Sequence, residues 1–288
     1  MGIRTTAATL SVLGMVALIA GCDTRIAGTA TSVEGAGAQS GAPSSTGSPE
    51  QSRPAAGDCT NQTDLAVLDC SESHDAEIVE AGQFPANMPD TLPDENTVTR
   101  QVLPGCRESV ATFVGSPHYD VTSVRAWLYW PSEQDWAAGQ RWRMCAAVET
   151  NADGQPSRRS GSLRGALAGN GYLDFQLCSS TRPSKSELKR VSCDGPHVAE
   201  AIPGVLDLGD PSDPFPSEQS INDRAMPHCN QAATRYVGTT GRPDIAVAWR
   251  WPSEQEWAEG FTNVTCYVET QRPVRGRVHN LGGAPLPG

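Results

Sequence analysis

The sequence is poor in features that would assign an enzymatic activity. It contains no Cys-x-x-Cys pair, no Gly-x-Ser-x-Gly string and no phosphate-binding loop string. These absences exclude the sequence signatures of dithiol redox proteins, nucleophile-elbow hydrolases and P-loop nucleotidases. Basic residues are also few, with 22 Lys and Arg against 33 Asp and Glu and a formal net charge of −11. Such an acidic chain is repelled by polyanions, so we expect no nucleic-acid partner.

Long apolar runs are absent except near the N-terminus. Residues 9–21 are apolar, follow Arg4 and end in "LIAGC", but they are too few to span a bilayer stably. Small residues directly before a cysteine, after a short apolar region, are typical of a lipoprotein signal peptide. We predict that residues 1–21 are removed and that Cys22 becomes the acylated N-terminus, inserted in the lipid bilayer at the outer face of the cell membrane. Plain secretion with cleavage elsewhere is the alternative.

Large side chains are scarce at both ends of the mature chain. Residues 22–57 are mostly Gly, Ala, Ser, Thr and Pro, which cannot bury enough surface to offset chain entropy. We predict a disordered tether, whose 35 residues after Cys22 would span about 30–35 Å as a flexible coil. Residues 271–288 are likewise predicted to be a disordered tail.

Cysteine is abundant in comparison. After Cys22, eight cysteines form two sets of four, and the second and third members are 36 positions apart in both sets. An even number in an exported chain indicates disulfides, and zinc is the less favoured alternative because short knuckle spacings are missing. Four cysteines allow three connectivities, so the pairing is a preference. We predict one hairpin bridge and one helix-to-strand bridge per set, each contributing roughly 3–4 kcal/mol: Cys59–Cys70, Cys106–Cys145, Cys178–Cys193 and Cys229–Cys266.

The two cysteine sets belong to an internal duplication. "WPSEQDWAAG" at residues 130–139 returns as "WPSEQEWAEG" at 251–260, and "CRESVATFVG" from Cys106 corresponds to "CNQAATRYVG" from Cys229. Two copies indicate two similar domains rather than a solenoid. We predict an α+β fold with tandem, pseudo-equivalent, disulfide-stapled domains at residues 58–150 and 172–270, each a β-hairpin or sheet packed on a helix. A linker at 151–171 is predicted to separate them.

Each repeated motif predicts a local structure. In "CRESVATFVG" the apolar positions share one helical face and a glycine follows as a C-terminal cap. Pro104 and Pro227 are expected in the first turn, where proline is tolerated. In the tryptophan decapeptides, Ser132 and Ser253 lie at capping-box spacing and start a short helical turn between two strands.

The tryptophans of the decapeptides have two interpretations. The favoured one is a buried clasp that holds the strand–turn–strand connection together. The alternative is a carbohydrate-stacking platform, because exposed indoles also suit sugar rings. The residues concerned are Trp130, Trp136, Trp251 and Trp257.

The combination of these motifs resembles the septum formation domain family of actinobacterial envelope proteins. The shared pattern is a first Cys, a Cys-x3-His-x2-Glu string, a helix with Cys and aromatic-Val-Gly, then a Pro-x4-Trp-x2-Gly string before the last Cys. It covers roughly residues 57–150 and 176–270, about two thirds of the chain. The resemblance implies a role in forming the division septum, and it carries no catalytic residue over to this chain.

The repeated histidine and acid pairs are the remaining candidates for chemistry. His74 with Glu77, and His197 with Glu200, could bind a metal or act as acid and base, which would make a metal-dependent envelope hydrolase. A structural role in a turn, with the imidazole bonded to backbone, is the favoured interpretation. We therefore predict a non-catalytic, membrane-anchored lipoprotein without cofactor or metal, which acts as an accessory to cell division by binding an envelope protein or wall glycan.

Overall fold

Two copies of one α+β unit make up the part of the chain that is described. The computed structural model describes residues 53–288 and, before them, only the backbone of the strand Thr31–Val33. The predicted signal peptide, Cys22 and most of the tether lie outside the described residues. Within the described residues, two sheets that are antiparallel except for one strand pair, four α-helices and four disulfides confirm the predicted fold class. None of the helices in this part of the chain is both long enough and apolar enough to cross a membrane.

The first copy is a six-stranded sheet with one long helix against it. The sheet order is β1-β5-β6-β4-β2-β3, and all pairs are antiparallel except β1 with β5, which is parallel. A 3-10 helix at Tyr119–Val121 precedes β5. The elements are β1 (Thr31–Val33), β2 (Cys59–Thr60), β3 (Val67–Leu68), β4 (Ala76–Gln83), α1 (Glu95–Val114), β5 (Val124–Pro131), α2 (Glu133–Ala137) and β6 (Trp142–Glu149).

The second copy repeats this arrangement without an equivalent of β1. Its sheet order is β10-β11-β9-β7-β8, with every pair antiparallel. A 3-10 helix at Gly171–Phe175 leads into it. The elements are β7 (Cys178–Ser179), β8 (Arg190–Val191), β9 (Pro196–Asp207), α3 (Glu218–Val237), β10 (Ile245–Arg250), α4 (Glu254–Ala258) and β11 (Asn263–Arg275).

The long helices start earlier than the sequence pattern predicted. Asp94 and Ser217 are the N-caps, and each side chain accepts a hydrogen bond from the backbone N–H three residues later. Pro104 and Pro227 consequently lie inside the helices, and the prediction of a first-turn position was wrong. The caps satisfy the free N–H groups at each start, and the apolar stripe upstream of each proline is buried, which offsets the hydrogen bond that proline removes. The predicted C-terminal glycines are confirmed, with φ of 79° at Gly115 and 83° at Gly238.

The four disulfides pair as predicted, and they have the same two roles in each copy. One closes the first hairpin, and the other joins the long helix to the central strand. The half-cystines of the helix-to-strand bridges are fully buried on the helix face that meets the sheet. The pairs are Cys59–Cys70, Cys106–Cys145, Cys178–Cys193 and Cys229–Cys266.

The two copies share one core, contrary to the prediction of a separating linker. Leu163 and Leu167, from the predicted linker, are buried and belong to a hydrophobic cluster that contains residues of both copies. At the boundary between the copies, Arg107 and Asp120 of the first copy form a partly buried ion pair (Nη2 to Oδ2, 2.6 Å), and Asn263 of the second copy donates to the same carboxylate oxygen at 2.8 Å. The copies are therefore joined by apolar packing and by several hydrogen bonds, among them the one from Arg100 Nε to the carbonyl of Ala258 at 2.6 Å.

The C-terminal segment is folded as well, and the prediction of a disordered tail was wrong. A bulge between Glu269 and Val274 lets β11 continue to Arg275 and pair again with β9. Val278 is fully buried, and Arg272 donates from Nη2 to the carbonyl of Leu286 at 2.9 Å. Backbone pairing and the three buried apolar side chains of Val274, Val278 and Leu286 hold the segment, although its composition is rich in glycine and proline.

Candidate functional site

In the first copy, the predicted His–Glu pair is buried at the start of β4. The ring of His74 contacts a backbone carbonyl two residues earlier through Nδ1 (2.9 Å), and its Nε2 lies 3.5 Å from Glu77 Oε1. The carboxylate of Glu77 accepts the backbone N–H of Leu163 at 2.6 Å and the hydroxyl of Ser162 at 2.6 Å. Arg159 lies 3.3 Å away and supplies a compensating charge. Every oxygen of this carboxylate is thus used inside the fold.

In the second copy, the pair is closer and has different side-chain partners. His197 Nε2 lies 3.1 Å from Glu200 Oε1, and Nδ1 contacts a backbone carbonyl at 2.9 Å. Glu200 also accepts the backbone N–H of Val278 at 2.9 Å and the hydroxyl of Tyr236 at 2.5 Å. Burial opposes protonation of His197, but the bonds to Glu200 and to the carbonyl outweigh it and raise the pKa of the imidazole above its ordinary value.

The buried carboxylates therefore hold equivalent segments that the sequence patterns did not reveal. Residues 159–167 follow β6 in the first copy, and residues 274–282 begin in the last two residues of β11 in the second; each segment returns to the His–Glu pair. Leu163 and Val278 are both fully buried. Two residues later, Gly165 and Asn280 both have left-handed backbone, with φ of 67° and 54°. A sequence signal existed in Gly161 and Gly276, each two residues before the buried apolar residue, but it is too short to be distinctive.

This geometry favours a structural role for both pairs. His74, Glu77, His197 and Glu200 are each at most 1 % exposed, so all four side chains are packed inside the fold. Within residues 53–288, the one cluster with metal-ligand spacing is Cys59, Cys70 and Glu77, and its sulfurs are joined in a disulfide that offers no thiolate.

The decapeptide tryptophans form the predicted clasp. Trp136 is fully buried, its indole N–H donates to the carbonyl of Pro89 at 3.1 Å, and its ring meets Phe84 edge-on at 5.2 Å. Trp257 repeats this geometry in the second copy, with the carbonyl of Asp213 at 2.9 Å and a second edge-on phenylalanine. The capping serines Ser132 and Ser253 start the short helices as predicted.

A platform of four exposed indoles is not formed, because Trp130, Trp136 and Trp257 are all buried. Trp251 differs, since it is only partly buried and packs at the edge of the core beside Trp249. The two rings border a surface groove of about 510 Å³ that also includes Asn222 of α3 and residues 183–187. This groove is the most open feature among the predicted site residues. Sequence reasoning missed it because its walls come from three distant stretches of the chain.

Electrostatics at the groove are set by two cations on its outer side. Arg250 donates from Nη1 to the carbonyl of Ser186 at 2.9 Å and pairs with Glu187 at 2.7 Å. Lys185 is exposed on the loop that contains Ser186 and Glu187, and it forms no ion pair with the described residues. On the inner side, Trp249 donates its indole N–H to Asn222 at 2.9 Å, which fixes the ring against α3. The groove therefore has a rigid aromatic wall and a rim of net positive charge.

The chain was compared with protein families, curated proteins and solved structures. A family model described as "Septum formation" matches residues 29–130 and, overlapping them, residues 56–266. The second match includes both copies and most of their secondary structure. No curated protein and no solved structure matches the chain.

Proposed function

The chain belongs to the septum formation family, and from this premise we propose that it is an exported, membrane-anchored lipoprotein that assists division by binding a partner protein in the cell envelope. The observation that carries the proposal is the family match over residues 56–266, which includes both copies of the fold. Membership indicates a role related to septum formation; the anchor, the location and the binding mode are the parts that we add.

Support for an exported, anchored protein comes from the N-terminal sequence and the sulfur chemistry. The "LIAGC" string ends at Cys22, and the eight other cysteines are joined in four disulfides. Disulfides persist in oxidising compartments outside the cytoplasm, so they agree with export. Several acyl chains on Cys22 would give stable anchoring, whereas a single chain gives marginal binding.

Support for binding rather than catalysis comes from the His–Glu pairs. In both copies the carboxylate oxygens accept hydrogen bonds from the chain's own backbone and hydroxyl groups. A general base or a metal ligand needs a free lone pair that faces its substrate or ion. The metal-dependent hydrolase is therefore the weaker alternative, and the accessible groove beside Trp251 is the better candidate for contact with another molecule.

Localisation of a fluorescent fusion tests the proposal. We expect the wild-type fusion to fractionate with membranes and to concentrate at division septa. Cys22→Ala should release it from the membrane, and Ser40→Ala in the same tether serves as the matched control that stays bound. A wild-type fusion that is evenly distributed through the whole cell cycle would contradict the septal role, and an unacylated wild-type protein would contradict the anchor.

A further inference from the structure

The groove of the second copy lies along the edge of a sheet. Among the described residues β10 is the end strand of its sheet. Residues 183–187 form one wall on the face opposite α3, and Asn222 of α3 belongs to the other wall. Because the walls come from both faces of the sheet, the backbone of β10 between them is the floor of the groove.

The floor presents backbone groups that pair with no described residue. The carbonyl of Asp244 accepts the N–H of Gln271, so this residue pair faces inward between β10 and β11. In an antiparallel ladder the inward and outward groups alternate along the strand, so the N–H and C=O of Val247 and Trp249 point away from β11 and into the groove. A row of unpaired groups at a sheet edge is a template for an added strand.

The first copy shows that this edge accepts a strand. Strand β5 corresponds to β10, and β1 pairs with it in parallel from Thr31 opposite Tyr129 to Val33 opposite Pro131. The decapeptide alignment places Trp251 of the groove at the position of Trp130, which lies within the paired stretch of β5. The paired stretch Tyr129–Pro131 corresponds to Arg250–Pro252, directly beyond the floor residues Val247 and Trp249, and no described strand occupies this edge in the second copy.

We propose that the groove along β10 binds an extended segment of a partner protein as an additional strand, parallel to β10. The backbone would supply the hydrogen bonds, and the aromatic wall of Trp249 and Trp251 would contact alternate side chains. Lys185 on the rim favours a neutral or acidic segment, since Glu187 already pairs with Arg250. This inference rests on the proposed binding role and names its site and the kind of partner.

A proline substitution in the floor separates strand addition from simple packing. Val247→Pro removes one outward N–H and leaves the ladder to β11 intact, as proline is tolerated at sheet edges where its nitrogen faces away from the neighbouring strand. The matched control is Met226→Ala, which changes an exposed apolar residue one turn further along α3 from Asn222. Trp251→Ala is a second test variant that keeps the backbone unchanged, so the test remains decisive if the proline variant fails to fold.

The probe is a synthetic peptide with the sequence of residues 28–36, GTATSVEGA, which contains the strand that pairs with β5. It is titrated into the isotope-labelled mature chain while backbone amide and indole resonances are recorded by NMR. We expect saturable shifts at Val247, Trp249 and the Trp251 indole. Binding should weaken at least tenfold in Val247→Pro and in Trp251→Ala, and it should be unchanged in Met226→Ala.

Four results would overturn this inference. The first two are the absence of any shift on adding the peptide, and shifts that are confined to β5. The third is a set of shifts that depend on protein concentration without peptide, which would reveal a second copy at the groove. The fourth is a shift of the Trp251 indole with soluble muropeptides but not with the peptide. Since the titration uses purified protein, its failure is distinguishable from failure of the septal role, which is measured by localisation in cells.

Discussion

The two copies hold the segment after their last strand in the same way but with different side chains. Each buries a carboxylate that accepts a backbone N–H from the segment after its last strand, from Leu163 in one copy and from Val278 in the other. The hydroxyl that completes the carboxylate comes from that returning segment in the first copy, at Ser162, and from the long helix in the second, at Tyr236. The hydrogen bond from the backbone N–H to the buried carboxylate is therefore common to both copies, whereas the hydroxyl partner of the carboxylate is replaceable.

The outer faces of the two sheets differ more strongly. In the first copy this face carries an apolar cluster that includes Trp127, Tyr129 and Trp142. In the second copy the first hairpin is longer, because its cysteines are 15 rather than 11 positions apart, and its polar loop covers the sheet. Ser184 of that loop donates to Glu269 on β11 at 2.7 and 2.8 Å. A duplicated framework thus carries two unlike surfaces, which suits a protein that makes different contacts with each copy.

The largest expected effect tests whether the copies depend equally on their helix-to-strand disulfides. Replacing both cysteines of Cys106–Cys145 by alanine should lower the free energy of unfolding by about 4 kcal/mol, and the same change in Cys229–Cys266 should cost about as much. The closed loops are nearly equal, with separations of 39 and 37. Denaturant unfolding measures the free energy of unfolding of both variants. If only one of the two variants is destabilised, the two disulfides do not contribute equally to stability.

The next effect tests the ion pair at the boundary between the copies. Asp120→Ala leaves the largely buried Arg107 without its partner and should cost about 3 kcal/mol, the low end for a buried pair because both side chains are 14 % exposed. Burial opposes ionisation of Asp120, but Arg107 and Asn263 outweigh it and lower the pKa of the carboxyl, so this contribution is present above the ordinary pKa and is lost as the pH falls through the lowered one. The control is Asp194→Ala, which removes an exposed partner of Arg277 and should change stability little. An equally small effect of Asp120→Ala would show that the Arg107–Asp120 pair does not stabilise the fold.

A smaller effect tests whether the hydroxyl groups that bind the two buried carboxylates, from Ser162 and Tyr236, are interchangeable. Ser162→Ala and Tyr236→Phe should each cost about 1.5–3 kcal/mol, because each removes a hydrogen bond to a buried carboxylate. Phe113 occupies the helix position of Tyr236, seven residues after the bridged cysteine. Adding Phe113→Tyr to Ser162→Ala should therefore restore most of the loss in a double-mutant cycle. If the second change adds nothing, the two hydroxyls are not interchangeable.

The smallest effect concerns pH and sets the second copy apart. Because the pKa of His197 is raised in the folded state, its contribution to stability is present below the ordinary pKa of 6.5 and is lost as the pH rises through the raised value. His197→Gln should flatten this part of the pH dependence of the unfolding free energy. Parallel curves for wild type and variant would contradict a charged histidine beside Glu200.

Much of the local structure could be predicted from sequence because its signals are side-chain signals. Cysteines on an apolar helical stripe, a glycine after Val114 and serines at capping-box spacing each have a residue-specific cause. The helix starts were missed because Asp94 and Ser217 lie in unlike loops outside the repeated motif. The returning segments were missed because the bond that holds each one is made by a backbone N–H, which every residue except proline carries.

The groove beside Trp251 could not be predicted for a related reason. Its parts come from residues 183–187, from Asn222 and from β10, and only the fold brings them together. The repeated decapeptide marked the tryptophan correctly, but repetition suggested that all four indoles share one environment. In the structure Trp130, Trp136 and Trp257 are buried, and Trp251 borders the groove. Strand β5, which contains Trp130, is paired with β1, whereas no described strand pairs with the outer edge of β10 beside Trp251.

Each copy ends in a returning segment, residues 159–167 or 274–282, that is held by its buried glutamate. Amide hydrogen exchange at Leu163 and Val278 tests it most directly, since these two N–H groups donate to Glu77 and Glu200. We expect both amides to exchange as slowly as those of the central strands β6 and β11. Exchange of either amide at the rate of an unstructured peptide would contradict it.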